Sequence, residues 1–179
     1  MNLAQISVDS LEFARGARHM AGSVPIRALQ RLADALASDA GELSWSVRGE
    51  MAEDGFGKVR PYLVVGVSGE ISLTCQRCLT ALAHRLDVEA RLLLVVPGGD
   101  WPGDAAKGGE GSGEGMMAED DAVDPIEALA EQPLLELVED EVLLALPIAP
   151  RHEDCSMPEH DDGRAAASPF AQLAQLKRH

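Results

Sequence analysis

The chain holds three cysteines among its 179 residues, and two of them stand three apart in Cys75-Gln76-Arg77-Cys78. Two thiolates at that spacing on a tight turn can reach one ion at about 2.3 Å, which is half of a tetrahedral zinc site. The third cysteine closes His152-Glu153-Asp154-Cys155, where imidazole and thiol have the same offset. Cys75, Cys78, His152 and Cys155 together make a set of three thiolates and one imidazole that suits structural zinc, provided the fold joins two turns more than seventy residues apart. Two other chemistries compete: ordinary reduced thiols without metal, and a redox dithiol. A redox pair is best placed at a helix N-terminus within a βαβ unit, where the dipole lowers the thiol pKa. Here the flanking sequence reads as antiparallel strand, and only Arg77 is left to favour thiolate.

A second group, Glu136, Glu139, Asp140 and Glu141, has the clustered carboxylates that a two-metal nuclease would need. At helical spacing, however, Glu136, Glu139 and Asp140 share one solvent-facing side, so the charged face of an amphipathic helix accounts for them. Glu141 falls at the edge of the apolar stripe and fits that account least. Other catalytic patterns are absent: there is no GxxxxGK(S/T), no HExxH, no G-x-S-x-G and no dinucleotide fingerprint. PGGDWPGD and GGEGSGEG are glycine-rich, but neither joins a strand to a helix as a phosphate cradle must. His19 reads as a loop residue and His84 as an edge residue of a strand.

The elements that must position these residues follow from periodicity. LAQISV gives a short extended signal. PIRALQRLADALAS has Pro25 in a first turn and an apolar stripe of Ile26, Leu29, Leu32, Ala33 and Leu36, which predicts a helix over 25–38. From 43 to 96 the period changes to two, and β-branched runs broken by glycine-containing turns predict antiparallel strands, with bends or a bulge at Gly66 and Gly69. The cysteine pair falls in a turn between two of these strands. Asp124, Pro125 and Glu127 resemble a helix start, and Pro133 divides that short helix from a longer one over 134–146. Leu134, Leu135, Leu137, Val138, Val142, Leu144 and Ala145 give the longer helix a broad apolar face that calls for cover. SPFAQLAQLKRH predicts a last short helix, with Ser168 as cap and Lys177, Arg178 and His179 at the end that favours positive charge.

Composition bounds the function. No apolar run nears the roughly 18 residues of a membrane span, and the first residues lack a signal peptide's pattern, so a soluble, cytoplasmic protein is expected. Six aromatic residues offer few platforms for base stacking. The net charge of −15 is regional: residues 1–99 carry ten basic and eleven acidic groups, 100–162 carry two and nineteen, and 163–179 carry three basic groups and no acid. The middle segment therefore cannot hold RNA by its phosphates. Residues 97–123 contain eight of the seventeen glycines and read as a flexible acidic insertion.

Three blocks, TCQRCLTAL, LLELVEDEVLLALPIAPRHEDC and SPFAQLAQLKRH, resemble in this order the YceD family of bacterial large ribosomal RNA subunit accumulation proteins. The resemblance rests on Cys75-x-x-Cys78 followed by Leu79, on Leu137-Val138-Glu139-Asp140-Glu141 running into Leu146-Pro147, and on Pro169-Phe170 ahead of Leu176-Lys177-Arg178. It implies a cytoplasmic, non-catalytic factor in the synthesis, processing or stability of 23S rRNA. The expected architecture is α+β, an antiparallel sheet that could curve into a half-barrel, covered by two or three helices. Residues 1–162 would form one domain including the insertion at 97–123, and 163–179 a linker with a short docking helix. An acidic middle segment should face basic ribosomal or assembly proteins of a pre-ribosomal particle. Glu136, Glu139, Asp140, Phe170, Lys177 and Arg178 are the candidate contact residues, and direct RNA contact would fall to arginines of residues 1–99 or to the Lys177-Arg178 tail. A zinc- or thiol-responsive regulator is the alternative from another class.

Overall fold

The structure, a computed structural model, describes residues 6–54, 57–99, 101 and 123–158. The elements run β1 (Ser7–Val8), α1 (Ser10–Arg15), β2 (His19–Pro25), a 3₁₀ turn (Ile26–Ala28), α2 (Gln30–Ala35), β3 (Glu42–Glu53), β4 (Val59–Thr74), β5 (Ala81–Val95), β6 (Asp124–Glu127), β7 (Gln132–Pro133) and α3 (Leu134–Ala145). β2 to β6 lie side by side in sequence order, and β1 pairs with β7 in a small second sheet. The five-stranded sheet does not close into a barrel, and the architecture is α+β as expected.

Alternation builds the sheet. In β3, Leu43, Trp45, Val47 and Gly49 are buried while Ser44 and Arg48 face solvent. The β4 residues Leu63, Val65 and Val67 join the same apolar layer, which α1, α2 and α3 cover through Phe13, Leu32, Leu134, Val138 and Val142. Burying one such side chain contributes about 1.5–3 kcal/mol, so a few of them outweigh the weak helix-forming tendency of six-residue segments such as α1 and α2. Helix α1 comes so close to β3 that a Cβ at Gly49 would collide with the backbone carbonyl of Phe13. That contact needs glycine.

Four expectations are corrected. The helix over 25–38 is broken: the 3₁₀ turn and α2 are separated by Leu29, whose φ of −92° and ψ of 84° are not helical. Its stripe survives, with Ile26, Leu29 and Leu32 fully buried. The helix stops because Ala37 N–H donates to Ser72 O and Ser38 bridges Ser72, drawing the chain extended along β4. Secondly, Asp124 opens a strand, not a helix. β6 runs parallel to β5 from Leu92↔Asp124 to Val95↔Glu127, so the sheet is mixed. The segment ahead of Pro133 is too short to hold a helix alone, whereas the free edge of β5 offers backbone partners and an edge strand tolerates Pro125. Thirdly, β4 has no bulge at Gly66 or Gly69, because its register with β5 runs unbroken past both, and that with β3 runs unbroken as far as Ser68. His19 is the first residue of β2, not a loop residue.

Helix α1 and strand β2 were not legible as elements. The start of α1 does carry a signal: the Asp9 carboxylate accepts Glu12 N–H, the side-chain half of a capping box.

Candidate metal centre

The β4–β5 pairing ends at Thr74↔Ala81, and the six residues between carry the cysteine pair. Cys75 N–H donates to Thr80 O at 2.9 Å and Leu79 N–H to Cys75 O at 2.9 Å, which closes the turn. Leu79 takes φ 62°, in the left-handed region that few residues other than glycine adopt. A fixed, strained turn of this kind holds Cys75 and Cys78 on one side of the backbone. After α3, Pro147 ends the helical run and the chain passes the turn, where Gln76 N–H donates to Pro150 O at 2.8 Å.

The donor atoms of Cys75, Cys78, His152 and Cys155 all lie within 4.8 Å of one another. Cys75 Sγ is 3.7 Å from Cys155 Sγ, and Cys78 Sγ is 3.4 Å from His152 Nδ1. A tetrahedron with spokes of about 2.3 Å has edges of about 3.8 Å, so these separations suit donors around one zinc ion. His152 Nε2 is 3.2 Å from Ala81 O. Donation of the Nε2 proton to that carbonyl leaves the Nδ1 lone pair aimed at the sulfurs, the support that metal-binding imidazoles usually have. Arg77 donates through Nε to Cys155 Sγ at 3.0 Å and through Nη2 to His152 O at 2.6 Å and Glu153 O at 3.1 Å. It orients the second half of the group from within the first.

Electrostatics point the same way. Cys75 is pulled down to about 5, mainly by the backbone N–H of Cys78, with burial opposing and the backbone N–H groups of Arg77 and His152 assisting. Cys78 is lowered, first by the Thr80 hydroxyl, which is 3.1 Å from its sulfur. Burial raises Cys155 despite Arg77. His152 is raised by its hydrogen bonds to Cys75 and then Cys78. Three thiols and one imidazole brought this close together form an assembly rich in lone pairs, whose protons a dication can replace. Arg77 and Thr80 belong to this centre although the cysteine spacing alone does not identify them. The only sequence signal for them is their place inside and just after the pair.

The acidic residues of α3 divide. Glu136 and Asp140 are exposed, but Glu139, expected on the solvent face, is only 5% exposed. Its Oε1 accepts Leu32 N–H at 3.1 Å and its Oε2 accepts Arg31 Nε at 3.0 Å, while Arg31 Nη1 donates to Asp140 Oδ1 at 2.6 Å. The correction has a simple cause: α2 packs on this side of α3, and its amide and guanidinium demand acceptors. Glu141 is also buried, and its pKa is raised by burial first and by Asp124 and Asp140 second. Phe170, Lys177 and Arg178 lie outside the described residues.

Among the described residues no helix is long and apolar enough to cross a membrane. A family model described as large ribosomal RNA subunit accumulation protein YceD matches residues 63–177, more than half of the chain. No solved structure matches it.

Proposed function

Because the chain belongs to the YceD family of large ribosomal RNA subunit accumulation proteins, we propose that it supports the synthesis, processing or stability of 23S rRNA as a non-catalytic cytoplasmic adaptor. The observation that carries this is the family match over 63–177, which takes in the cysteine turn, β5, α3 and the Cys155 turn. Residues 1–162 act as one α+β domain and 163–179 as its docking extension. The adaptor joins a pre-ribosomal particle through basic ribosomal or assembly proteins, for which the acidic segment 100–162, with Glu136 and Asp140 on its exposed side, is the complementary surface. Any contact with RNA itself falls to arginines of residues 1–99 or to Lys177 and Arg178.

In this role zinc is structural. Cys75, Cys78, His152 and Cys155 would hold it, and it would supply a cross-link between the exit of α3 and the β4–β5 turn. Three thiolates on a dication leave one negative charge, and Arg77 stands at Cys155 to balance it. Removal of the gene should lower 23S rRNA relative to 16S rRNA, with recovery on return of the wild-type copy, and the protein should co-sediment with large-subunit precursors. Unchanged 23S rRNA together with no binding to any precursor particle would sink the proposal.

The 3.7 Å approach of Cys75 and Cys155 favours one second reading, a thiol-responsive regulator. Their two thiols would lose two electrons and two protons to a peroxide, which is reduced to water, and form one disulfide. Reversible oxidation with little change in stability would support it; a chain that keeps its metal under peroxide would exclude it.

A further inference from the structure

A cleft of about 380 Å³ opens between α3 and the β5–β6 edge. On the helix side Leu137, Glu141 and Leu144 recur at the four- and three-residue steps that share one helix face; on the sheet side stand Leu92, Asp124 and Ile126. The volume accommodates a few side chains and is too small for a folded partner. Glu141 is 6% exposed, yet among the described residues no donor meets its carboxylate, and its nearest charged neighbours, Asp124 and Asp140, repel it. Leu144 at the far wall is 75% exposed, and Ile148 beyond it is fully exposed. The cleft therefore wants apolar groups along its walls and a cation at its centre.

We propose that the cleft seats this chain's own C-terminal segment, residues 168–178. Residues 163–179 carry Arg164, Lys177 and Arg178 and no acid, a sign opposite to that of the cleft. At helical spacing Phe170, Leu173 and Lys177 share one face, two apolar groups followed by a cation, matching two apolar walls and the acidic group of Glu141, Asp124 and Asp140. The segment can reach: eleven residues lie between Pro158 and Phe170, a tether of up to about 40 Å, whereas α3 is about 18 Å long. Tethering holds the segment at an effective concentration in the millimolar range, so a few contacts suffice to keep it in place.

The test is amide hydrogen exchange by NMR on the full chain, compared with a synthetic peptide of residues 163–179. Amides of 170–177 should exchange at least about tenfold slower in the chain than in the peptide. Leu173→Asp and Glu141→Lys should each abolish that difference while β4 and β5 amides keep their protection. Glu141→Lys sits inside the folded body and could weaken it. Leu173→Asp supplies the reciprocal reading from an intact cleft, because it should shift the methyl resonances of Leu144 and Ile126. Overturning results are a tail that exchanges at the peptide rate, a protected tail indifferent to both substitutions, or protection that rises with protein concentration, which would give the cleft to a second copy.

Discussion

Two ties hold α3 and the chain that follows it to the rest of the molecule, and they are built on opposite principles. Along the helix, Glu139 accepts from the Leu32 amide and the Arg31 guanidinium, and Asp140 from the same guanidinium. Every acceptor there has a donor. Beyond the helix, three thiols and an imidazole converge within 4.8 Å with more lone pairs than protons. The first tie is complete in itself, whereas the second calls for a cation. Carboxylates facing donors make a joint that water and salt weaken little when it is buried; thiols facing one another make a joint whose strength follows metal supply and redox state.

The largest expected effect breaks the second tie. Cys75→Ser should lower Tm by more than about 10 °C, because structural metal binding contributes directly to folding free energy, and the loss should be read by circular dichroism with and without added zinc. An equal Tm for both chains would remove the contrast. Next, Glu139→Ala leaves the buried Leu32 N–H without an acceptor and should cost about 1–3 kcal/mol by denaturant unfolding, with no dependence on zinc. That independence is what separates the two ties.

A smaller effect, of opposite sign, belongs to Glu141, the buried carboxylate that neither tie uses. With Leu173→Asp present to keep the tail out of the cleft, Glu141→Gln should raise Tm at neutral pH by about 2 °C. The folded-state pKa of Glu141 is raised above 4.5 by burial and by Asp124 and Asp140, so its ionised form costs stability. That cost is full at pH above the folded value, fades as pH falls through it, and is gone below the unfolded value; the advantage of glutamine should vanish with it. Smallest of all, Asp140→Asn should leave Tm unchanged within about 1 °C, since both Asp140 and its partner Arg31 are half exposed. A loss as large as that of Glu139→Ala would show that the ionic tie is shared between the two carboxylates and not centred on the buried one.

The sequence revealed what depends on local pattern. The strands β3 to β5 follow from alternation, α3 from its apolar face, and the cysteine turn from its place between two strands. It hid what depends on partners elsewhere in the chain. Asp124, Pro125 and Glu127 have the form of a helix start, but the free edge of β5 makes them a strand. Glu139 lies three and one residues from two exposed acids and looks like them until α2 arrives with an amide and a guanidinium. The helix over 25–38 could not be seen to stop short of Ala37, because the stop serves a bridge from Ser38 to Ser72 in β4. At the metal centre the four donors share offsets that can be read from the chain. The Ala81 carbonyl that turns His152, and the reach of Arg77 to Cys155, come only from the hairpin meeting the chain beyond α3.

The contrast between the two ties is tested most directly by the metal content of the purified full chain, with Tm followed as a chelator removes that metal. About one zinc per chain is expected, absent from Cys75→Ser, and its removal should lower Tm in the wild type but leave Cys75→Ser unchanged. A wild-type chain that carries no metal, and whose Tm responds to neither chelator nor added zinc, would contradict it.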